Sequence, residues 1–146
     1  MDFDVDRILT THVGSLPRSP ELRELLKRRT AGEDVDQDAW ERAVHDATEE
    51  VIDRQAEVGL DIVNNGEQPR VSFNWYVANR ISGIGGEREA PLWDDLQDFP
   101  DYAETEFITD TFDLRKAPAI VDEVEYVGAD DAHEEVDTFF ELLEGS

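Results

Sequence analysis

The chain has 146 residues, and 37 Asp+Glu against 13 Lys+Arg leave a formal net charge of −24, so neither nucleic acid nor an anionic membrane is an expected partner. Hydrophobic residues make up 39% and fall in periodic segments without a run long enough to span a bilayer, which excludes a disordered acidic tail and a membrane helix. The chain has no cysteine, which excludes disulfides and thiolate metal sites within it and, with an opening MDFDVDR unlike a signal peptide, makes a cytoplasmic location the expectation.

Eleven of the basic residues are Arg, and Lys27 and Lys116 are the two Lys. Excess carboxylate with scarce lysine is the surface expected of a halophilic protein, because salt at about 1 M shortens the Debye length to about 3 Å and relieves self-repulsion. Most single carboxylates are therefore read as solvated surface.

Residues 8–13 are β-branched and apolar, and predict a short strand ended by Gly14 and Pro17. Ser19 and Pro20 then supply a cap and a first helical residue, with Leu22, Leu25 and Leu26 as the apolar stripe and Gly32 as the stop. The strongest periodicity follows, in Trp40, Val44, Ala47, Val51 and Val58, widened by Ala43 and Ile52. Asp38 with Glu41 resembles a capping box, and Gly59 ends the helix. Residues 60–63 predict a second strand, so the unit is strand–helix–strand, as in parallel α/β folds.

A short helix is expected around Phe73, Tyr76, Val77 and Arg80, and residues 82–102 read as a long ordered loop carrying Trp93, Phe99 and Tyr102. Residues 119–127 alternate as a third strand would. Asp131, with Glu134 at the third position, predicts the cap of a final helix whose apolar face is Val136, Phe139, Phe140 and Leu143. His45 and His133 are expected at the surface.

In a parallel α/β unit the ligand site lies at the carboxyl ends of the strands. TTHVGSLPR (residues 10–18) and NNGEQPR (residues 64–70) sit there, dense in hydroxyl, imidazole, amide, carboxylate and guanidinium groups. Such groups suit the amino and carboxylate groups of a small molecule. Ser15 is equally at home as a turn residue, and Asn64, Asn65 and Arg70 either line the pocket or form the turn after the strand. A lone His12 is expected to line the pocket rather than to bind metal, since zinc takes three or four protein ligands.

These two motifs, in this order and with Arg54 and Gln55 on the intervening helix, resemble the cobalamin-independent methionine synthase family. The likeness is greatest to its single-barrel branch, the methionine-synthase-II-like proteins and epoxyalkane:coenzyme M transferases, whose pattern YVANRISGI (76–84) and DFPDY (98–102) also resemble. The resemblance implies a TIM (β/α)8 barrel, with the whole of residues 1–146 as its N-terminal part and about three βα units present, because a full barrel needs roughly 250 residues. It implies zinc-dependent methyl or alkyl transfer to a thiol such as homocysteine. It assigns Val13, Gly14, Ser15 and Glu67 to the thiol substrate, with His12, Arg18, Asn65 and Arg70 near the same pocket. The family's zinc ligands are of His, Cys, Glu and Cys type on later strands. They are absent here, so no metal ligand and no catalytic residue is assigned to this chain. Expected partners are the thiol and either a complementary C-terminal barrel half or a second copy. The alternative reading is a truncated, partner-dependent or non-catalytic small-molecule-binding fragment.

Overall fold

The structure is a computed structural model that describes residues 6–89, 94, 97–101 and 116–145. Helix α1 (Pro20–Thr30) begins as the sequence predicts. The Ser19 side chain accepts from the Leu22 N–H at 3.1 Å, Pro20 occupies the first turn, and Gly32 takes φ +73° just past the end. Helix α2 (Gln37–Glu57) lies against it. Leu22, Leu25 and Leu26 of α1 are buried on Ala43 and Ala47 of α2, whose small side chains let the helices approach. Trp40, Val44, Val35 and Val71 close the margin of this core, and the Arg29 guanidinium stacks 4.2 Å from the Trp40 ring centroid.

Two details of α2 differ from expectation. The cap is Asp36, whose carboxylate accepts from the Ala39 N–H at 2.7 Å, not Asp38 with Glu41. Glu41 instead accepts from the Gln37 amide one turn earlier, at 2.8 Å. Val58 is 75% exposed, because the helix closes at Glu57 and Val58 caps it, off the buried stripe. Gly59 ends the helix at φ +81°, as predicted.

The two predicted parallel strands meet, but only at one bridge, Thr11 to Ile62. The reason lies in Asp61. Its own N–H and that of Ile62 both turn to the Thr10 carbonyl, while its carboxylate accepts from the Thr10 N–H at 2.8 Å and hydroxyl at 2.9 Å and pairs with Arg7. A side chain thus takes ladder positions that backbone would fill. The same hydrogen bonds, Arg7 first, hold the Asp61 carboxyl well below the usual carboxylate range.

Helix α3 (Phe73–Ala78) is capped by Ser72. Strand β1 (Ile84–Glu89) then pairs antiparallel with β2 (Lys116–Ile120). This corrects the reading of residues 82–102 as a loop at its start, while Trp93 and Tyr102 lie outside the described residues. Pro118 has no N–H to give, and it sits opposite a bulge between Gly85 and Arg88 where the register breaks. Chain 121–127 continues beside residues 80–83, with an antiparallel bridge from Ile81 to Tyr126. Gly83, at φ +71°, has no room for a Cβ against the Asp122 and Glu123 carbonyls. The third strand is therefore antiparallel, and three successive parallel βα units are not what the described residues form.

Helix α4 (Ala129–Gly145) starts earlier than predicted: Gly128 offers the first accepting carbonyl, to Ala132, and Asp131 lies within the first turn. Its inward face is also shifted. Leu142 is buried, whereas Val136, Phe140 and Leu143 are exposed. Glu135 lies one and two turns before Phe139 and Leu142 on the face turned to the protein. No helix among the described residues is long and apolar enough to cross a membrane.

Candidate functional site

The end of α2 builds the site. Gln55 is buried, and its amide donates to the Val51 carbonyl at 2.8 Å and the Asn64 carbonyl at 2.7 Å while accepting from the Asn64 N–H. That fixes Asn64, whose side chain donates to the His12 carbonyl at 2.7 Å and accepts from the Gly66 N–H at 2.9 Å. The Leu16 N–H donates to the Gly66 carbonyl at 2.9 Å. The two motifs, about fifty residues apart, thereby become one loop pair.

Glu67 stands in the left-handed region at φ +55°, where a non-glycine residue is strained. Three contacts hold it there. Asn65 Oδ1 accepts from its N–H at 3.0 Å, and Ser15 Oγ donates to its Oε2 at 2.8 Å. Arg18 Nη2 donates to its carbonyl at 2.7 Å. Arg18 also donates to the carbonyls of Gln68 and Arg70, so one guanidinium clamps the whole 67–70 turn. Burial lowers the Arg18 pKa, opposed by the nearby Glu67 charge. Gln68 is fully buried beneath the turn, its amide facing the Leu16 and Pro17 carbonyls.

Of the residues singled out by sequence, Ser15, Arg18 and Glu67 are brought together. Gly14, at φ +93°, borders open space where a Cβ would lie, and Val13 is 90% exposed. His12 points its Nε2 at the Gly14 carbonyl, 3.0 Å away; a carbonyl only accepts, so that nitrogen carries the proton and Nδ1 is the acceptor of the ring. Asn65 and Arg70 turn their amide and guanidinium groups to Glu135 instead.

Glu135 is the residue that sequence reading passed over. Its carboxylate accepts from Asn65 Nδ2 at 2.9 Å, Arg70 Nη2 at 2.8 Å, Tyr76 Oη at 2.7 Å and Arg80 Nη2 at 3.0 Å. Both guanidiniums also stack on the Tyr76 ring, 4.3 and 3.8 Å from its centroid. Burial pushes the Glu135 carboxyl upward, but the Arg70 and Tyr76 hydrogen bonds outweigh it and leave the pKa below the ordinary value. The Tyr76 phenol is raised, by burial first and by the Glu135 contact second. The available signal was spacing, since a Glu four residues before Phe139 and seven before Leu142 shares their face.

A thiolate-bound zinc of the kind the resemblance implies does not fit these residues, because the chain has no cysteine to supply the thiolate. Among the described residues, His45, Asp46 and Glu49 are spaced to hold a cation, but all three are exposed on α2, off the loop pair.

Comparison with known proteins matches this chain to a family. Residues 8–92 match the family model described as "Cobalamin-independent synthase, Catalytic domain". A methionine synthase of Sulfolobus acidocaldarius is 33% identical over 95 residues, which cover 65% of this chain and 28% of that protein. The 5-methyltetrahydropteroyltriglutamate–homocysteine methyltransferase of Bacillus cytotoxicus is 34% identical over 75 residues, 51% of this chain and 10% of its own. Among solved structures, a B12-independent methionine synthase from Shewanella sp. W3-18-1, in complex with selenomethionine, superposes with a TM-score of 0.56 at 22% identity. That match covers 88% of this chain and 34% of the other, and at this identity it speaks to fold alone.

Proposed function

The chain belongs to the cobalamin-independent synthase catalytic-domain family, and from that premise we propose that its two loops are the thiol-substrate-holding part of a methyl- or alkyl-transfer site. In this reading the backbone of Val13, Gly14 and Ser15, with the Glu67 carboxylate, holds the amino and carboxylate groups of a thiol amino acid such as homocysteine. Arg18 positions Glu67 through the backbone. The observation that carries the reading is the 2.8 Å Ser15–Glu67 hydrogen bond, joining residues 52 apart at a strained backbone position. Local strain of this kind is retained where function requires it.

The chain's role is then to bind and orient, not to activate the thiol, and it is part of a TIM barrel working in a salty cytoplasm. It matches only 10–28% of the length of these enzyme relatives, so the activity belongs to a larger assembly. Calorimetric titration with homocysteine, methionine and coenzyme M is the test. Glu67→Ala should weaken whichever binds by about tenfold or more, the worth of a charge-assisted hydrogen bond. An unchanged affinity removes Glu67 from the site.

A second reading, partner dependence, is favoured by the single parallel bridge, beside which Ile8, Val13 and Ile62 stay exposed. It calls for a complementary barrel half or a second copy on that edge. A compact monomer across a concentration series in the ultracentrifuge, with no added partner bound, counts against it.

A further inference from the structure

We propose that Asn65, Arg70, Tyr76 and Arg80 form a receptor for a small oxyanion, a carboxylate or phosphate group, and that Glu135 of α4 fills it as an internal stand-in. Four donors, two of them guanidinium, converge on both oxygens of one carboxylate. Tying a helix to a fold takes one such pair, and the others add desolvated positive charge that only an anion compensates. The four donors come from one stretch, residues 65–80, and α4 supplies none of them. The Tyr76 ring sets the orientation of both guanidiniums, and Arg80 Nη1 faces the Tyr76 carbonyl at 3.4 Å.

Two further observations point to a ligand. Arg70 Nε and Arg80 Nε are buried and have no acceptor among the described residues, so the cradle has more donors than a carboxylate has used. A phosphate, with more acceptor oxygens, would use them. The cluster also opens on a cleft of about 1140 Å³, bordered by Trp40 and Trp75 as well as Arg70 and Arg80, which leaves space beside the cradle for the uncharged body of a ligand. Six carboxylates, Glu41, Asp46, Asp131, Glu134, Glu135 and Glu141, also border this cleft beside four arginines, so the positive charge is confined to the Arg70–Arg80 cradle itself. The side chains of Ser15 and Glu67 take no part in it, and Asn65 joins the two sites, its Oδ1 accepting from the Glu67 N–H while its Nδ2 donates to Glu135.

A tethered carboxylate competes at an effective concentration in the millimolar range. An external anion therefore binds the wild type weakly and displaces α4 when it does. The test titrates inorganic phosphate into the full chain in about 1 M KCl, which screens the net charge. Glu135→Ala should bind phosphate at least about tenfold more tightly than wild type, and adding Arg80→Ala should abolish the gain. In the wild type, phosphate should speed amide exchange in α4 relative to chloride at equal ionic strength. Equal phosphate affinity in wild type and E135A overturns the proposal. Should E135A fail to fold, the wild-type exchange decides: faster exchange in phosphate supports the receptor, and identical rates in phosphate and chloride overturn it. Acetate in place of phosphate separates the two anions, since a carboxylate receptor responds to both and a phosphate receptor to phosphate alone.

Discussion

Gly66 and Glu67 are neighbours in the left-handed region, at φ +58° and +55°, yet they carry opposite expectations. Gly66 is there because the backbone requires it. A Cβ would lie 3.0 Å from Leu16 Cβ and 3.2 Å from Val51 Cγ2, on top of the conformational penalty. Gly66→Ala should therefore cost about 2 kcal/mol or more in urea unfolding. A loss under about 0.5 kcal/mol would mean the turn relaxes freely. Glu67 lies there at a cost of about 1–3 kcal/mol. Glu67→Gly relieves that strain while losing the Ser15 contact and adding chain entropy, so the fold should change by less than about 1 kcal/mol. Strong destabilisation by E67G would make Glu67 a structural residue and weaken the binding reading.

At the scale of elements, Glu135 couples α4 to the loop–α3 segment, and its titration gives a signed prediction. Its folded pKa lies below the ordinary glutamate value, so its contribution is complete above that value and is lost as pH falls through the folded one. Tyr76 runs the other way. Its folded pKa is raised, so its contribution is complete below pH 10 and fades as pH rises beyond it. Acid also discharges the surface and relieves repulsion, so the raw stability profile is mixed. The difference between wild type and Glu135→Gln isolates the pair: wild type should be the more stable near neutrality, with the gap closing as pH falls below the ordinary glutamate range. Asp61 titrates in the same sense but cancels in that difference. A gap that is constant with pH would place the stabilisation outside the Glu135 charge.

Elements whose signals are local were legible in the sequence. Ser19 and Pro20 marked α1, Gly59 ended α2, and the leucine stripe of α1 was buried as its spacing required. The motif pair also placed Ser15, Arg18 and Glu67 in contact. What escaped depended on distant partners. Asp61 gave its side chain to Thr10 in place of a ladder, which no periodicity reveals. The direction of the third strand depended on Gly83 admitting the Asp122 and Glu123 carbonyls. The α4 face was misread because a carboxylate was assumed to seek water, and the two arginines that pair with it lie more than fifty residues earlier.

For the whole molecule, the balance of charge decides how salt acts. Screening weakens attractive pairs and repulsion alike. The exposed pairs among the described residues, such as Arg28–Glu33 and Arg54–Glu50, are worth at most about 1 kcal/mol each. The pairs at Glu135 are largely shielded from solvent and so less screened. Against these few stands a net charge of −24 on 146 residues, whose self-repulsion opposes the compact state over many pairwise distances. Shortening the Debye length from about 10 Å at 0.1 M to about 3 Å at 1 M removes most repulsion between carboxylates that are not nearest neighbours. The melting temperature should therefore rise from dilute buffer to 1 M KCl, by more than the few degrees that about 1 kcal/mol represents in a domain of this size. A specific stabilising effect of the anion is checked by repeating the scan with a second potassium salt at equal ionic strength. A melting temperature that is flat or falls with KCl would show that the ion pairs, not the net charge, govern this fold, and would remove the physical basis for reading the surface as adapted to salt.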